Sequence, residues 1–427
     1  MPSVLRPTLP LTDDERQILT LLAGVALVTG YMGSLITATM TFAADQFGAD
    51  SRAQGWALAV IRADVLIALP LATAADRLGR RRLLLLTALV GPIGTAVCAV
   101  SPNLATLAGL QIITRGFVTA TVAVVGIMLA EEMPAGARAH AASVLVAAAA
   151  LGSAGTLLLL PLADRSSGGW RLLYLAPLLA LFGWPLVRRR MRETRRFEAA
   201  ATSQAGGATA TPGAHPAHVG ANAAHDRKRL GGAYRRRLAV LAIGYALLAA
   251  FSNPSRQFQN DFLRKERGFG GGRVSLFNLA TSAPGTIGLL AGGSLAERFG
   301  RRRIVAIGVI AGVLANVAML ASHGPALWLW AMTGAALASI ALPALAVYGS
   351  ELFPTRLRGR ASGFTTAISR VGAAGGLILV GQLGRGHHLG RAISWTAVLP
   401  ILGVTLIAIR SPETAGRELE EVSPDTM

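Results

Sequence analysis

Charge is scarce in this chain: Asp, Glu, Lys and Arg make up 15% of its 427 residues, where soluble domains carry roughly 25%. With 52% hydrophobic residues and a mean hydropathy of +0.50, that scarcity argues against an ordinary soluble domain. Aromatic residues are few as well, at 6%, and the apolar content leans instead on Ala and on 49 Gly. Small residues of this kind suit helices that touch backbone to backbone in lipid. A single cysteine, Cys98, lies inside an apolar run and excludes an intrachain disulfide framework or a thiolate metal site. Catalytic motifs are missing too. There is no Ser-His-Asp or His-Glu-x-x-His arrangement and no Gly-Lys-Ser loop to cradle phosphate, so neither an enzyme, ATP-driven transport nor a cofactor is expected. Acids are outnumbered, with 22 Asp and Glu against 41 Lys and Arg, a net charge of +19 and a pI near 11.5. In a soluble protein that balance would suggest nucleic acid. Here the arginines sit in short clusters between apolar segments, so the expected partner is a lipid bilayer and not nucleic acid. The N-terminus lacks a cleavable signal pattern, because Asp13, Asp14 and Glu15 precede a stretch long enough to span and stay.

What the chain does have is a series of apolar stretches of membrane-spanning length. A bilayer core of ~30 Å needs about 20 apolar residues in a helix. Such stretches lie near 18–42, 55–75, 83–101, 104–130, 141–163 and 170–187, and again near 237–260, 274–296, 303–321, 325–350, 361–384 and 391–409. The expected fold is therefore all-α, with twelve transmembrane helices in two six-helix bundles. With a cytoplasmic N-terminus, roughly 28 of the 41 basic residues fall inside and about nine outside, the asymmetry the positive-inside rule demands. An even number of spans then puts the C-terminus inside as well. The organisation read from this is an N-terminal bundle at 1–187, a linker at 188–236, a C-terminal bundle at 237–410 and a cytoplasmic tail at 411–427. The linker runs through Ala, Gly, Thr and Pro between two arginine clusters, a composition that cannot bury a core and reads as flexible. Its His215, His218 and His225 are scattered and have no Cys company, so no metal site is expected there.

The two halves repeat each other. Asp76-Arg77-Leu78-Gly79-Arg80-Arg81-Arg82 follows the second span, and Glu297-Arg298-Phe299-Gly300-Arg301-Arg302-Arg303 follows the eighth. Glu131-Glu132-Met133-Pro134 with Arg138 follows the fourth span, and Glu351-Leu352-Phe353-Pro354 with Arg358 the tenth. The first pair of motifs lies 221 residues apart and the second 220. Two independent motifs that agree on one offset imply a duplicated six-span unit, with a pseudo-two-fold axis along the membrane normal.

These acid-Arg-x-Gly-Arg-Arg-Arg loops resemble the loop motif of the major facilitator superfamily. The copy from Gly293 to Arg302 is nearly complete, with Glu297 where Asp is commoner, while the first copy has Ala72 where Gly usually begins it. Arg115-Gly116 in the fourth span partly resembles the family's intramembrane arginine motif. Glu193-Thr194 after the sixth span and Pro412-Glu413-Thr414 after the twelfth are similar to the Pro-Glu-Thr ends of sugar porters and related metabolite:proton symporters. The Gly-x-x-x-Gly-Pro element of drug:proton antiporters is missing from the fifth span. The resemblance implies a monomeric secondary transporter of the cell membrane that works by alternating access, with protons and a small solute as partners. It also implies that Asp76 leans on the eleventh helix.

Physical chemistry gives the loop residues a role beside that resemblance. Gly79 and Gly300 permit the tight turn that two closely joined helices need. Glu131 and Glu351 can pair with the Arg80 and Arg301 clusters, or with Arg138 and Arg358. Each exposed pair is worth only ~0–1 kcal/mol, so such a network would tune the populations of states. Asp76, Arg77, Glu297, Arg298, Glu193 and Glu413 complete this candidate cytoplasmic gating set, and the alternative is that its arginines only bind anionic lipid.

Ionisable groups within the spans are costly and usually functional. They are Arg62 and Asp64 in the second span, Arg115 in the fourth, Arg256 and Asp261 in the seventh and Arg370 in the eleventh. Asp64 and Arg115 lie at comparable depth and are expected to form a buried pair, either a proton relay or a static ion pair. Arg62, two residues from Asp64, should point to nearly the opposite helix face. In the seventh span Asn253, Ser255, Arg256, Gln257 and Gln259 cluster about a break at Pro254 and are candidates for the substrate cavity. The excess of Arg over acid favours an organic anion. The function expected is proton-coupled symport of such a solute. Proton-coupled drug or metabolite efflux and a non-transporting receptor are the alternatives.

Overall fold

The computed structural model describes residues 11–134, 137–194, 232–353, 355–385 and 388–411. Every regular element among them is helical, and twelve helices are long and apolar enough to cross a membrane. In order these are α1 (Asp13–Phe47), α2 (Ser51–Ile61, a 3-10 turn at Arg62–Asp64, then Val65–Leu78), α3 (Arg80–Cys98) and α4 (Leu104–Glu132). Next come α5 (Arg138–Leu159 with a 3-10 end at Leu160–Asp164) and α6 (Trp170–Leu175, a 3-10 stretch at Ala176–Phe182, then Trp184–Arg190). The second half contains α7 (Gly232–Lys265), α8 (Gly271–Phe299), α9 (Arg301–Ala321), α10 (Gly324–Glu351), α11 (Thr355–Leu383) and α12 (Leu389–Trp395 and Val398–Arg410). The linker histidines and Glu413 lie outside the described residues.

Local sequence sets where the helices start and stop. Thr12 and Glu15 form a reciprocal capping box at α1: the Glu15 N–H donates to Thr12 Oγ1 and the Thr12 N–H donates to Glu15 Oε2. Such a cap is worth about 1 kcal/mol. Gly48, at φ +61°, ends the helix in the left-handed conformation. Asp50 Oδ1 accepts from the Ala53 N–H at the head of α2, and Asn103 Oδ1 accepts from the Thr106 N–H at the head of α4. α2 is joined to α3 through Gly79 alone, and α8 to α9 through Gly300 alone. Both glycines take φ +94°, a region barred to side chains with a Cβ.

Contacts divide the described chain into two units. The first holds α1, α2 from Val60, α3 to α6, and Gly270–Ser275 at the start of α8; the second holds Asp50–Ala59, α7, α8 from Leu276, and α9 to α12. Within the first, α1 packs on α5 and α3 on α4; within the second, α7 packs on α11 and α9 on α10. Small residues make these crossings close. A Cβ added at Gly152 of α5 would overlap the Leu27 carbonyl of α1, and one at Gly372 of α11 would overlap the Ala246 carbonyl of α7. Gly152 and Gly372 are 220 residues apart, the same offset as the Glu131 and Glu351 motifs. In the first unit, the buried core at the arginine-rich end is built from Leu22, Leu83, Leu84, Val124, Met128 and Met133.

The expected break at Pro254 is a correction. α7 runs without interruption through it, while the irregular turns fall in α2, α5 and α6. Neighbouring helices and local adjustment let a proline stay inside a buried membrane helix.

Candidate functional site

The central feature of the first unit is a carboxylate inside a span. Asp64 closes the 3-10 turn of α2 and is only 2% exposed. Its Oδ2 lies 3.8 Å from Nε of Arg115 on α4 and accepts a hydrogen bond of 3.2 Å from the Thr119 hydroxyl, one turn further along the same helix. Arg115 also donates from Nη1 to the Gly33 carbonyl of α1, so its guanidinium links three helices. α4 comes this near because residue 116 is glycine. A Cβ there would sit 2.6 Å from Ile67 Cβ and 3.2 Å from the Asp64 carbonyl. The 3-10 geometry also changes where Arg62 points. At three residues per turn, two positions are about 120° apart instead of the near-opposition expected of an α-helix.

The polar cluster of α7 lies in the second unit and divides between directions. Ser255 is buried and donates to Asn316 Oδ1 on α9 at 3.1 Å. Gln259 Nε2 donates to Asn278 Oδ1 on α8, and Asn278 Nδ2 donates in turn to Asn260 Oδ1, a chain of three amides. Asn253 donates to the Ala249 carbonyl one turn back. Arg256 is exposed, and Gln257 and Arg370 are half-buried. Asp261 is 1% exposed and pairs with Lys265 at 3.0 Å, the only lysine among the described residues. Substrate-cavity candidates thus include one residue, Ser255, whose hydroxyl is engaged inside the helix bundle.

At the arginine-rich end of the first unit, several gating candidates meet. Arg80 Nη2 lies 3.3 Å from Glu131 Oε1, with both side chains 14% exposed. Glu131 Oε2 accepts from the Thr194 hydroxyl at 2.6 Å, and Glu193 accepts from the Arg81 N–H at the first turn of α3. A carboxylate at a helix N-terminus compensates the positive end of its dipole. Arg81 reaches the end of α6, donating from Nε to the Met191 carbonyl and from Nη2 to that of Arg188. The starts of α3, the end of α4 and the segment after α6 are thereby tied together. In the second copy Arg298 is exposed and Arg301 half-buried. The side chains of Asp76, Arg77, Arg138, Glu297, Glu351 and Arg358 lie outside the described residues.

Thr119, Asn278 and Asn316 were not singled out by sequence reasoning. For Thr119 a signal existed, because it stands four residues after Arg115 and therefore on the same helix face. Asn278 and Asn316 carried none, being lone polar residues in apolar runs.

A profile of the Major Facilitator Superfamily matches residues 22–255 and 241–422. A D-xylose transporter of Levilactobacillus brevis is 35% identical over 118 residues, which are 27% of this chain and 26% of that protein. The chain therefore aligns with about a quarter of that relative. A metabolite transport protein of Haemophilus influenzae is 24% identical over 354 residues, covering 81% of this chain and 83% of that protein. The inward open xylose transporter XylE from E. coli superposes with a TM-score of 0.74 at 16% identity, over 96% of this chain and 99% of that one. At that identity the likeness bears on the fold alone. With its profile spanning both halves and its twelve apolar helices, the chain is an integral membrane transporter and belongs to the major facilitator superfamily.

Proposed function

We propose that this transporter is a proton-coupled symporter that takes up a small organic solute by alternating access, with Asp64 as its proton carrier. The observation that carries this reading is the ionisable side chain of Asp64, buried within a span at an irregular turn and facing Arg115. A carboxylate in such a place is worth its desolvation only if its charge is used. Protonation of Asp64 releases Arg115 from its partner and gives the helix pair two electrostatic states. Replacing Asp64 with Asn is expected to abolish uphill, proton-driven uptake in proteoliposomes while counterflow exchange persists. Uphill uptake at the wild-type rate in D64N would sink the assignment.

An organic anion is the substrate class favoured by charge: Arg62, Arg115, Arg256 and Arg370 outnumber Asp64 and Asp261 in the spans. A second reading has its own support. The amide chain Gln259–Asn278–Asn260 offers donors and acceptors in pairs, which suits a polyhydroxylated solute, and one relative is described as a D-xylose transporter. Thermal-shift measurements against monocarboxylates, D-xylose and cationic drugs separate the two, and stabilisation by the cationic drugs alone would support efflux instead. The gating role of the Arg80–Glu131 pair, a cell-membrane location, cytoplasmic termini and a monomeric state belong to the same proposal.

A further inference from the structure

Arg115 and Thr119 address a single oxygen of Asp64 from successive turns of α4, and their chemistry differs in kind. A guanidinium only donates, so it favours the ionised carboxylate and offers nothing to the acid O–H. A hydroxyl both donates and accepts. We propose that Thr119 is the positioning residue for proton exchange at Asp64, serving the same oxygen in both protonation states. This inference rests on the reading of Asp64 as the proton carrier.

In the ionised state Thr119 donates to Oδ2 across the 3.2 Å between the two oxygens. When Oδ2 takes up a proton, the new O–H donates to Thr119 Oγ1. The threonine hydrogen then turns to the carbonyl one turn back, at Arg115, the usual partner of a threonine inside a helix. No bond of Thr119 breaks, and the proton added is the proton later released. Without that hydroxyl, Arg115 can only donate toward the acid, and the ionised acid would lose the direct hydrogen bond from Thr119.

The backbone supports this arrangement. Gly116 lets α4 lie against the 3-10 turn, so the spacing between Thr119 and Asp64 is set by main-chain contact as well as by side chains. A 3-10 stretch inside a helix is a recurrent mark of a hinge, and this one ends at the proton-carrying residue. α4 is the neighbouring helix most closely packed on this turn, Arg115 is its charged residue at this level, and Glu131 and Glu132 lie about four turns away at its end. Arg62 is the charged neighbour on α2 itself, and the Tyr174 phenol interacts electrostatically with Arg115.

The test needs no substrate. The full chain in lipid nanodiscs is titrated with pH alone while the infrared stretch of the protonated carboxyl is followed, the Asp64 band being the one that D64N removes. In Thr119→Val the midpoint of that band is expected to move by about one pH unit, a tenfold change in proton affinity, and its frequency to change with the lost hydrogen bond. Thr119→Ser should restore both. Thr119→Ala stands in should the valine variant melt early, since it also lacks the hydroxyl. A wild-type midpoint and frequency in the hydroxyl-free variants, with a D64N-sensitive band present, overturns the role of Thr119 alone. A serine variant that behaves like valine does the same, because the methyl group and not the hydroxyl would then matter. No band lost in D64N overturns the assignment of Asp64 itself, and this inference with it.

Discussion

Single side chains in this protein are constrained mainly by how closely the helices meet. Gly152 is the sharpest case, since any Cβ there collides with the backbone of α1 at Leu27. Backbone cannot step aside as a flexible side chain can, so Gly152→Val is expected to destabilise the folded protein by about 1–3 kcal/mol or more. A lower melting temperature in detergent measures this, and an unchanged one would contradict the close crossing. Cys98 is fully buried and free, with its thiol donating to the Gly94 carbonyl. It should resist a membrane-permeant maleimide until the protein is denatured, which mass spectrometry reads directly. Ser255 illustrates the opposite ambiguity. Its place among polar residues suggests a ligand contact, yet its hydroxyl is used by Asn316. Neighbours in sequence share a helix, but successive positions turn by about 100° and face different partners.

Helix ends carry the repeat into structure. Gly79 and Gly300 hold nearly the same backbone angles, φ +94° with ψ 144° and 135°, at a one-residue joint between antiparallel helices. An L-residue there is strained, so Gly79→Ala and Gly300→Ala should each cost about 1–2 kcal/mol. Chemical denaturation of the two variants checks this, and one variant unaffected would show that the two joints are not equivalent. At the head of α2, the Ala53 N–H, followed by the nearby Arg385 guanidinium 2.7 Å away, holds the Asp50 carboxyl below the usual carboxylate range, with burial opposing in part. A depressed value means that the capping contribution is present above the unfolded value of about 3.9 and is lost as pH falls through the folded one. Asp50 therefore stays ionised from pH 5 to 8. Asp50→Asn should leave the pH profile of uptake unmoved across that window, and a displaced profile would make Asp50 part of the coupling machinery.

At the scale of the whole molecule, duplication and lipid together explain the composition. A helix in a bilayer must satisfy its own backbone, so the described residues meet the apolar core as twelve separate helices long and apolar enough to cross it. An even number of crossings returns the chain to the side where it began. Tags on the two termini should accordingly be protected or cleaved together in oriented vesicles, and tags on opposite sides would require an odd number of crossings. The two contact units each take in the starting end of a helix from the other sequence half, Asp50–Ala59 in one case and Gly270–Ser275 in the other. That exchange has no trace in the hydropathy pattern, where α2 and α8 look like continuous members of their own halves.

The sequence by itself determined the span count, the repeat offset, the glycine joints and the presence of charge inside α2 and α4. These follow from features that act locally or by simple sum: apolar length, motif identity and the scarcity of charge in lipid. Only the tertiary structure decided that α2 tightens into a 3-10 turn at Asp64, that α7 passes straight through Pro254, and that Thr119 shares an oxygen with Arg115. Those outcomes depend on which helix faces which and at what depth. In a bundle held by close packing of small residues, a single missing Cβ such as that of Gly116 settles such facing, and an isolated glycine in an apolar run carries no mark of the partner it will meet.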